Sequence, residues 1–307
     1  MIGRIVEIAD NARYLCIERG FLAIYSTGEE RDLMGRVPLD DIVAVIANAH
    51  GVSYSNAVLV ALSERNAPLV VCAANHNAVG MLMPIEGNYQ QAKRFDAQIA
   101  ASKPTHKQIW TQIIKAKLQQ QANVLASVGG DPKPLSCLID QVKSGDTGNA
   151  EAIGARRYWQ ALLGKDFRRD QSMAGLNSLL NYGYTVLRAC TARAVIAAGL
   201  HPTLGVHHSN EGNAMRLVDD LMEPFRPCID RVVWQCQQAG NTELTPAIKK
   251  QLVHAVYTDL PTDAGQTPAL VCVQKLATSL ALLYLGERNT LDLPLSSPAQ
   301  AWAYVKT

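Results

Sequence analysis

The stretch around which this chain is organised is residues 204–227, LGVHHSNEGNAMRLVDDLMEPFRP. It begins with a pair of histidines, His207 and His208, continues through a polar loop, and ends with the spacing of a short amphipathic helix. On that helix Asp220 and Glu223 are three residues apart, so their side chains are predicted to leave one face as neighbours. The segment therefore concentrates imidazoles and carboxylates in one short part of the chain.

A third acid, Asp219, lies four residues before Glu223. Carboxylates at these spacings repel one another by roughly 0.2–0.5 kcal/mol per pair on an exposed helix, so a compensating cation is expected. Arg216 and Arg226 lie at salt-bridge spacing from Asp220 and Glu223 respectively. A divalent metal ion that also takes an imidazole from the histidine pair would serve as well. Both interpretations remain open at this point.

The composition describes an ordinary globular protein. The chain has 307 residues, of which 48% are hydrophobic and 18% charged, enough for one large domain or two smaller ones. Its seven cysteines are scattered singly, mostly in apolar runs, so buried reduced thiols are expected. The N-terminal residues contain acids and no continuous apolar core, and no run reaches the roughly 18 apolar residues of a membrane span. We therefore expect a soluble, cytoplasmic protein without a membrane partner.

The spacing of apolar residues changes near residue 88. Before it, short β-rich runs such as Tyr14–Glu18 and Phe21–Tyr25 flank Arg19-Gly20, a two-residue hairpin signal. Ser53 is predicted to cap one helix in this part. After it, apolar residues recur at helical spacing, including one helix over 214–238. The prediction is an α+β chain, with a small β-rich domain at 1–87 and a larger all-helical domain at 88–307 that carries the carboxylate stretch.

Positive charge is concentrated in two parts of the helical domain. No acid occurs between residues 97 and 130, where Lys103 and Lys107 lie near the start of a helix. The second cluster comprises Arg156, Arg157, Lys165, Arg168 and Arg169, with aromatic residues among them. Clusters of this kind can hold the phosphates of nucleic acid and stack on its bases. A helix face that is simply exposed to solvent can have the same composition, and this interpretation remains open for both clusters.

Several familiar catalytic motifs are absent from the sequence: HExxH, an adjacent His-Asp pair, GxxxxGK[ST], GxSxG and GxGxxG. Their absence disfavours most zinc peptidases, P-loop NTPases, serine hydrolases and dinucleotide enzymes. The remaining carboxylates and imidazoles form a donor set that suits Mg²⁺ or Mn²⁺. Glu151 is a further candidate, in the first turn of a helix that Asn149 is predicted to cap, although an acid there also needs no role beyond the helix dipole.

Three segments together resemble the integrases of CRISPR adaptation, most closely the branch found in type II systems. They are NAEAIGARRYWQALLGKDFRRD, LNSLLNYGYTVLRACTARAVIAAGLHPTLGVHH and LVDDLMEPFRPCIDRVV, in that order along the chain. The resemblance covers nearly the whole sequence. It implies an endonuclease and integrase that inserts short DNA fragments, called spacers, into a repeat array. A 3′-hydroxyl of the incoming DNA would attack a phosphodiester of the target in a metal-dependent transesterification.

The resemblance also implies the site residues. Glu151, His208 and Glu223 match the glutamate, histidine and acid that hold one divalent ion, Mg²⁺ or Mn²⁺, and catalyse the reaction in that family. Asp220 is the companion carboxylate. His207 beside His208 leaves the choice of imidazole open, although the spacing favours His208. The second basic cluster, with Lys103 and Lys107, is predicted to bind DNA.

The implied partners are double-stranded DNA, as spacer precursor and as repeat array, and a second copy of the chain joined through the β-rich domain. A small ferredoxin-like adaptation protein would bridge two such homodimers. Two other functions remain as alternatives: a DNA-binding scaffold without chemistry, and a metal nuclease that cuts DNA without joining it.

Overall fold

The computed structural model describes residues 3–73 and 78–295. The chain divides into two compact units between Tyr89 and Gln90, whereas the sequence predicts the boundary after residue 87. Strands dominate the first unit and helices the second, so the predicted α+β class is confirmed. Among the described residues no helix is both long and apolar enough to cross a membrane.

The first unit contains two sheets and one helix. Its elements are β1 (Arg4–Ile8), β2 (Arg13–Glu18), β3 (Phe21–Ser26), β4 (Leu33–Pro38), β5 (Ile42–Ala47), β6 (Val52–Tyr54), α1 (Asn56–Glu64), β7 (Leu69–Cys72) and β8 (Ala78–Leu82). One sheet has the order β4-β3-β2-β6 and the other β1-β5-β7-β8. Every residue of β5 is buried, as expected for a strand flanked on both sides by parallel neighbours.

The predicted hairpin is confirmed. β2 and β3 are antiparallel, with Glu18 opposite Phe21, and the two linking residues Arg19 and Gly20 have φ of 48° and 84°. Two positive φ values are what a tight type I′ turn requires. The predicted helix cap is wrong, because Ser53 lies in β6 and pairs with β2, and α1 begins later, after Ser55.

The second unit consists mainly of helices. They are α2 (Gln91–Ala100), α3 (Lys103–Ser127), α4 (Lys133–Ile139), α5 (Ala150–Leu163), α6 (Leu176–Ala197), α7 (Arg216–Met222), α8 (Arg226–Gln238), α9 (Pro246–His254) and α10 (Ala269–Tyr284). The central α6 is buried along most of its length and packs against α7, α8, α9 and α10. The cysteines are free thiols, of which five are buried.

Two details of this unit differ from the prediction. It is not all-helical, because β9 (Asp259–Thr262) and β10 (Gly265–Pro268) form an antiparallel hairpin before α10. Leu260 and Thr267 are opposite each other and both are buried, so the hairpin contributes to the core at this pair. The helix predicted over 214–238 is interrupted by a 3-10 turn at Glu223–Phe225, because Pro224 has no N–H to continue the α-helical pattern.

Candidate catalytic centre and basic cavity

Asp220 of α7 holds the loop that carries the two histidines. Its side chain is completely buried. One oxygen accepts the backbone N–H of Val206 at 2.6 Å and that of His207 at 3.0 Å. The other accepts the N–H of His208 at 3.3 Å and contacts the Nδ1 atom of its ring at 2.5 Å. This contact raises the pKa of His208 against the opposing effect of burial, and it leaves Nε2 for another partner.

Gly205 allows this loop to close on α7. A Cβ atom at this position would lie 2.8 Å from the Cβ of Arg216, 2.8 Å from the carbonyl oxygen of His208 and 3.1 Å from Oδ2 of Asp220. Two of these contacts are shorter than non-bonded atoms tolerate, so a side chain here would force the loop away from the helix. The close packing of the loop against α7 therefore requires glycine at position 205.

Glu151 reaches the site from the first turn of α5. The N–H groups of Ala150 and Glu151 donate to the carboxylate of Asp146, at 2.8 and 3.0 Å. The predicted cap is therefore wrong: Asn149 has a left-handed backbone, with φ of 56°, and its side chain makes no cap hydrogen bond. Asp146 caps the helix instead, because the preceding turn directs its carboxylate towards the first N–H groups of α5.

Side chains from four parts of the second unit surround one cavity of about 290 Å³. It is lined by Trp110, Glu151, His207, His208, Ser209, Asn210 and Glu223. Trp110 of α3 stacks face to face on His207, with ring centroids 4.2 Å apart and 3° between the planes. Asp220 lies behind His208, placed to orient that ring. The three predicted ligands Glu151, His208 and Glu223 thus face the same space.

Lys117 of α3 joins the two glutamates of this cavity. Its Nζ atom lies 2.6 Å from Oε1 of Glu151 and 2.6 Å from Oε2 of Glu223. The first contact is also a hydrogen bond, and both contacts are ion pairs. Burial alone would lower the pKa of Lys117, but the charges of Glu223 and Glu151 outweigh it and the pKa is raised. The ammonium therefore stays charged.

Within residues 3–73 and 78–295, no three His, Cys, Asp or Glu side chains are arranged to hold a metal ion as they stand. At this cavity the ammonium of Lys117 lies between the two carboxylates. The residues nevertheless fit a hard divalent cation. The two oxygens contact one positive group, so they are no farther apart than twice 2.6 Å. Two carboxylates and an imidazole are also ligands that Mg²⁺ or Mn²⁺ accepts.

Arg226 pairs with Glu223 as the sequence predicts, with Nε donating to Oε1 at 2.8 Å. Burial would raise the pKa of Glu223, but the positive charges of Arg226 and Lys117 lower it to about 2. The guanidinium of Arg226 also lies 4.5 Å from the ring centroid of Tyr184, a cation–π distance. The hydroxyl of Tyr184 donates to buried Asp230 at 2.5 Å. The carboxylate of Glu223 is therefore held by Arg226 through one oxygen and by Lys117 through the other.

The other predicted salt bridge does not form. Arg216 donates to the carbonyl oxygen of Asn210 at 2.8 Å, and buried Asp220 is occupied by the histidine loop. Asp219 points elsewhere, pairing with Arg188 at 2.7 and 2.8 Å and accepting from Asn213 at 2.7 Å. Each of the three neighbouring carboxylates thus has its own set of partners, which removes the repulsion expected from their spacing.

The second basic cluster surrounds a cavity of about 720 Å³. It is lined by Arg156, Trp159, Gln160, Lys165, Phe167, Arg168, Arg169, Asp170 and Gln171. Trp159 and Phe167 are 5.4 Å apart between ring centroids, so aromatic surface lies beside the positive charge. Arg156, Lys165 and Arg168 are exposed and available to an anionic ligand.

The remaining predicted DNA-binding residues have different surroundings. Arg157 donates to the carbonyl oxygen of Pro134 at 3.0 Å, and Lys103 and Lys107 are exposed near the start of α3. Arg169 is partly buried and donates to the amide oxygens of Asn177 and Asn181, at 2.9 and 2.7 Å. Its guanidinium also lies 5.5 Å from the Tyr184 ring. Arg169 therefore supports the wall of the basic cavity from within.

Comparison with known proteins identifies the family. Residues 6–251 match the profile described as "CRISPR associated protein Cas1". The chain belongs to the Cas1 family. It is 35% identical over 303 residues to the CRISPR-associated endonuclease Cas1 of Neisseria meningitidis, covering 97% of this chain and 98% of that one. A Cas1 of Pyrobaculum aerophilum is 27% identical, with 90% and 97% covered. The predicted family is confirmed.

Solved structures share the Cas1 fold. A casposase bound to an integration product superposes with a TM-score of 0.80 at 20% identity, covering 100% of this chain and 96% of the casposase. A Cas1 protein from Thermotoga maritima superposes with a TM-score of 0.75 at 15% identity, with 93% and 98% covered. At these identities the likeness concerns the fold.

Sequence motifs do not assign Lys117 or Trp110 to the site that Glu151, His208 and Glu223 form. Lys117 falls among the lysines of a basic stretch, and Trp110 on the apolar face of its helix. A signal for Lys117 is nevertheless present: it lies three residues after Ile114 and four after Ile113, on the apolar face of α3. A lysine there is predicted to be buried, and burial requires a partner. No comparable signal identifies Trp110.

Proposed function

We propose that this Cas1 family protein is a metal-dependent DNA integrase and endonuclease that inserts spacers into a CRISPR repeat array. The observation that carries the proposal is the meeting of Glu151, His208 and Glu223, from three separate segments, around one cavity. The reaction is a transesterification in which a 3′-hydroxyl attacks a phosphodiester of the repeat DNA and a 3′-oxygen leaves.

Glu151, His208 and Glu223 would hold Mg²⁺ or Mn²⁺. When bound, the ion supplies Lewis-acid polarisation of the phosphodiester and neutralises charge on the reacting oxygens. Asp220 contributes by fixing the ring of His208, so that Nε2 is presented to the ion, as a carboxylate behind a metal-binding histidine commonly does. Arg226 keeps Glu223 ionised and in place.

The basic cavity would hold the DNA. Exposed Arg156, Lys165 and Arg168 would contact phosphates, which fixes position without reading sequence, and Trp159 and Phe167 offer faces on which an unpaired base can stack. Arg169 and Arg226 lie over the same Tyr184 ring, so one side chain supports both the DNA cavity and the catalytic carboxylate. This link favours an enzyme over a scaffold, since a scaffold needs no such connection.

The proposed assembly is a homodimer joined through the first unit and bridged by a small ferredoxin-like adaptation protein. A solved complex named Cas6-RT-Cas1–Cas2 contains a chain with this fold, with a TM-score of 0.72 at 15% identity, covering 98% of this chain and 36% of that one. That name supports a Cas2 protein as the bridging partner.

The proposal is tested by incubating the protein and its partner with Mn²⁺, supercoiled repeat DNA and a short duplex with free 3′-hydroxyls. We expect joined products, and roughly a hundredfold less joining for Glu223→Gln or His208→Asn, because each removes a metal ligand. His207→Asn is the matched control and should retain most of the activity. A duplex blocked at its 3′ ends should not be joined.

Other outcomes would support the alternatives. Equal cleavage with blocked and free 3′ ends would indicate a nuclease that does not join DNA. DNA binding without reaction in Mn²⁺ or Mg²⁺, unaffected by Glu223→Gln, would indicate a scaffold.

A further inference from the structure

Lys117 lies where the proposed metal site has its greatest negative charge. Its Nζ atom is 2.6 Å from an oxygen of each glutamate, and its side chain is only 8% exposed. The residues three and four positions earlier on the same face of α3, Ile114 and Ile113, are fully buried. The lysine therefore reaches the carboxylates out of an apolar surface, with little freedom to point elsewhere.

An ammonium and a divalent ion cannot hold these two oxygens at once. Mg²⁺ binds carboxylate oxygens at roughly 2.0–2.1 Å, so an ion held by these same two oxygens would compete with Nζ for them. The two positive charges would also repel strongly in a site of reduced dielectric constant. Binding of an ion by both of these oxygens therefore requires the ammonium to move away from at least one of them.

We propose that Lys117 is a resident counter-cation, which holds Glu151 and Glu223 together in the metal-free protein and competes with the divalent ion for them. The inference rests on the proposed function, since it takes both glutamates as metal ligands. Without Lys117 the two carboxylates would repel each other near the cavity. With it they are preassembled, and the apparent affinity for the ion is lowered by the ion pairs that must be broken.

A purely structural salt bridge accounts less well for this arrangement. Glu223 already has Arg226 as a partner at 2.8 Å, so its charge is compensated without a second cation. A second buried cation adds a desolvation penalty that a structural pair does not need.

The test measures Mn²⁺ binding directly, by electron paramagnetic resonance of free Mn²⁺, together with thermal unfolding in EDTA and in Mn²⁺. The variant Lys117→Met should bind Mn²⁺ roughly tenfold or more tightly than the wild type. It should also unfold at a lower temperature in EDTA and gain more from Mn²⁺. Lys115→Met is the matched control, because Lys115 is exposed on the same helix, and it should match the wild type in both measurements.

The outcomes separate this inference from the proposed function. If Lys117→Met binds Mn²⁺ no more tightly than the wild type, while Glu223→Gln loses binding, the competition is refuted and the metal site stands. If Glu223→Gln binds Mn²⁺ as well as the wild type, the proposed site itself fails. Should Lys117→Met not fold in EDTA or Mn²⁺, Lys117→Gln removes the charge, retains hydrogen-bonding capacity, and is judged by the same comparison.

Discussion

At the scale of single residues, Asp220 positions the histidine loop of the candidate cavity without lining that cavity. Its two oxygens receive three backbone N–H groups and the imidazole of His208. A carboxylate with this many donors fixes a loop of the chain as firmly as a turn of regular structure. The position of the imidazole therefore depends on a buried acid twelve residues farther along the sequence.

Asp220→Asn tests this dependence. The amide keeps the volume but replaces one acceptor oxygen with a donor, so backbone N–H groups are left without a partner. We expect about 10- to 100-fold less joining and a decrease of roughly 1–3 kcal/mol in the free energy of unfolding, measured by an integration assay and urea unfolding. Asp219→Asn is the control, since Asp219 pairs with Arg188. Wild-type joining by Asp220→Asn would contradict the positioning role.

Asp230 should make stability depend on pH. Burial raises its pKa to about 7, whereas an aspartate in an unfolded chain titrates near 3.9. Between these values the folded protein keeps a proton that the unfolded chain has released. The stabilisation is therefore complete below about pH 4 and declines as the pH rises through about 7.

Asp230→Asn cannot titrate and retains an oxygen to accept from Tyr184. Its unfolding free energy relative to the wild type should increase between pH 5 and pH 8, by on the order of 1–3 kcal/mol. Urea unfolding at a series of pH values measures this difference. The same substitution at exposed Asp96 should leave the pH profile unchanged, and parallel profiles for Asp230→Asn and the wild type would refute the prediction.

At the scale of elements, the second unit depends on how closely α6 approaches α8. A Cβ atom on Gly183 would lie 2.3 Å from Cγ2 of Ile229 and 3.3 Å from Cδ2 of Leu252. The same helix carries Tyr184, on which both Arg169 and Arg226 rest. A change in this crossing would therefore move the support of the basic cavity and that of Glu223 together.

Gly183→Ala should destabilise the protein by about 1–3 kcal/mol, because overpacking outweighs the better helix propensity of alanine. In the Ile229→Ala background the clashing methyl group is absent, so the same substitution should be neutral or stabilise slightly. A double-mutant cycle from urea unfolding measures the coupling between the two positions. Additive effects would show that the approach of the helices is not limited at this point.

The elements that can be predicted are those determined by local sequence. The β2–β3 hairpin follows from two β-rich runs around Arg19-Gly20, and the main helices from their apolar spacing. Elements that depend on partners distant in the sequence are not predicted. Ser53 joins a strand because β2 offers a parallel partner, and β9 and β10 are too short and mixed in composition to be distinguished from a loop.

The candidate site divides in the same way. Motifs assign Glu151, His208 and Glu223, and the structure places them around one cavity. The position of Lys117 between two of them depends on α3 crossing both segments. The periodicity of one helix carries no information about such a crossing. The same reason applies to Trp110, whose contact with His207 joins two segments that are far apart along the chain.

At the scale of the whole molecule, charge is distributed unevenly although the net charge is only +2. Three exposed cations of the second cluster, Arg156, Lys165 and Arg168, converge on one cavity of the second unit. A local concentration of this kind attracts DNA more effectively than the small net charge indicates. Binding should therefore be strongly salt-dependent, and the dependence should originate in this cavity.

The triple variant Arg156→Gln, Lys165→Gln, Arg168→Gln should show a shallower dependence of log affinity on log salt concentration, by about 0.9 for each phosphate that is no longer neutralised. Duplex binding followed by fluorescence anisotropy between low and moderate salt measures the slope. The matched control replaces Arg13, Arg36 and Arg65 of the first unit with Gln, each of which pairs with an acid. An unchanged slope in the cavity variant would exclude this cavity as the main DNA-binding surface.

The parallel stack of Trp110 on His207 gives the candidate cavity an intrinsic optical reporter. The emission of an indole responds to the groups that contact its ring, so the emission of Trp110 should change when His207 moves away from it. Four tryptophans occur in the chain, and replacing the other three with phenylalanine would leave one fluorophore at the wall of the cavity. Stopped-flow fluorescence could then follow rearrangement of the histidine loop in real time, without an attached dye and independently of DNA joining.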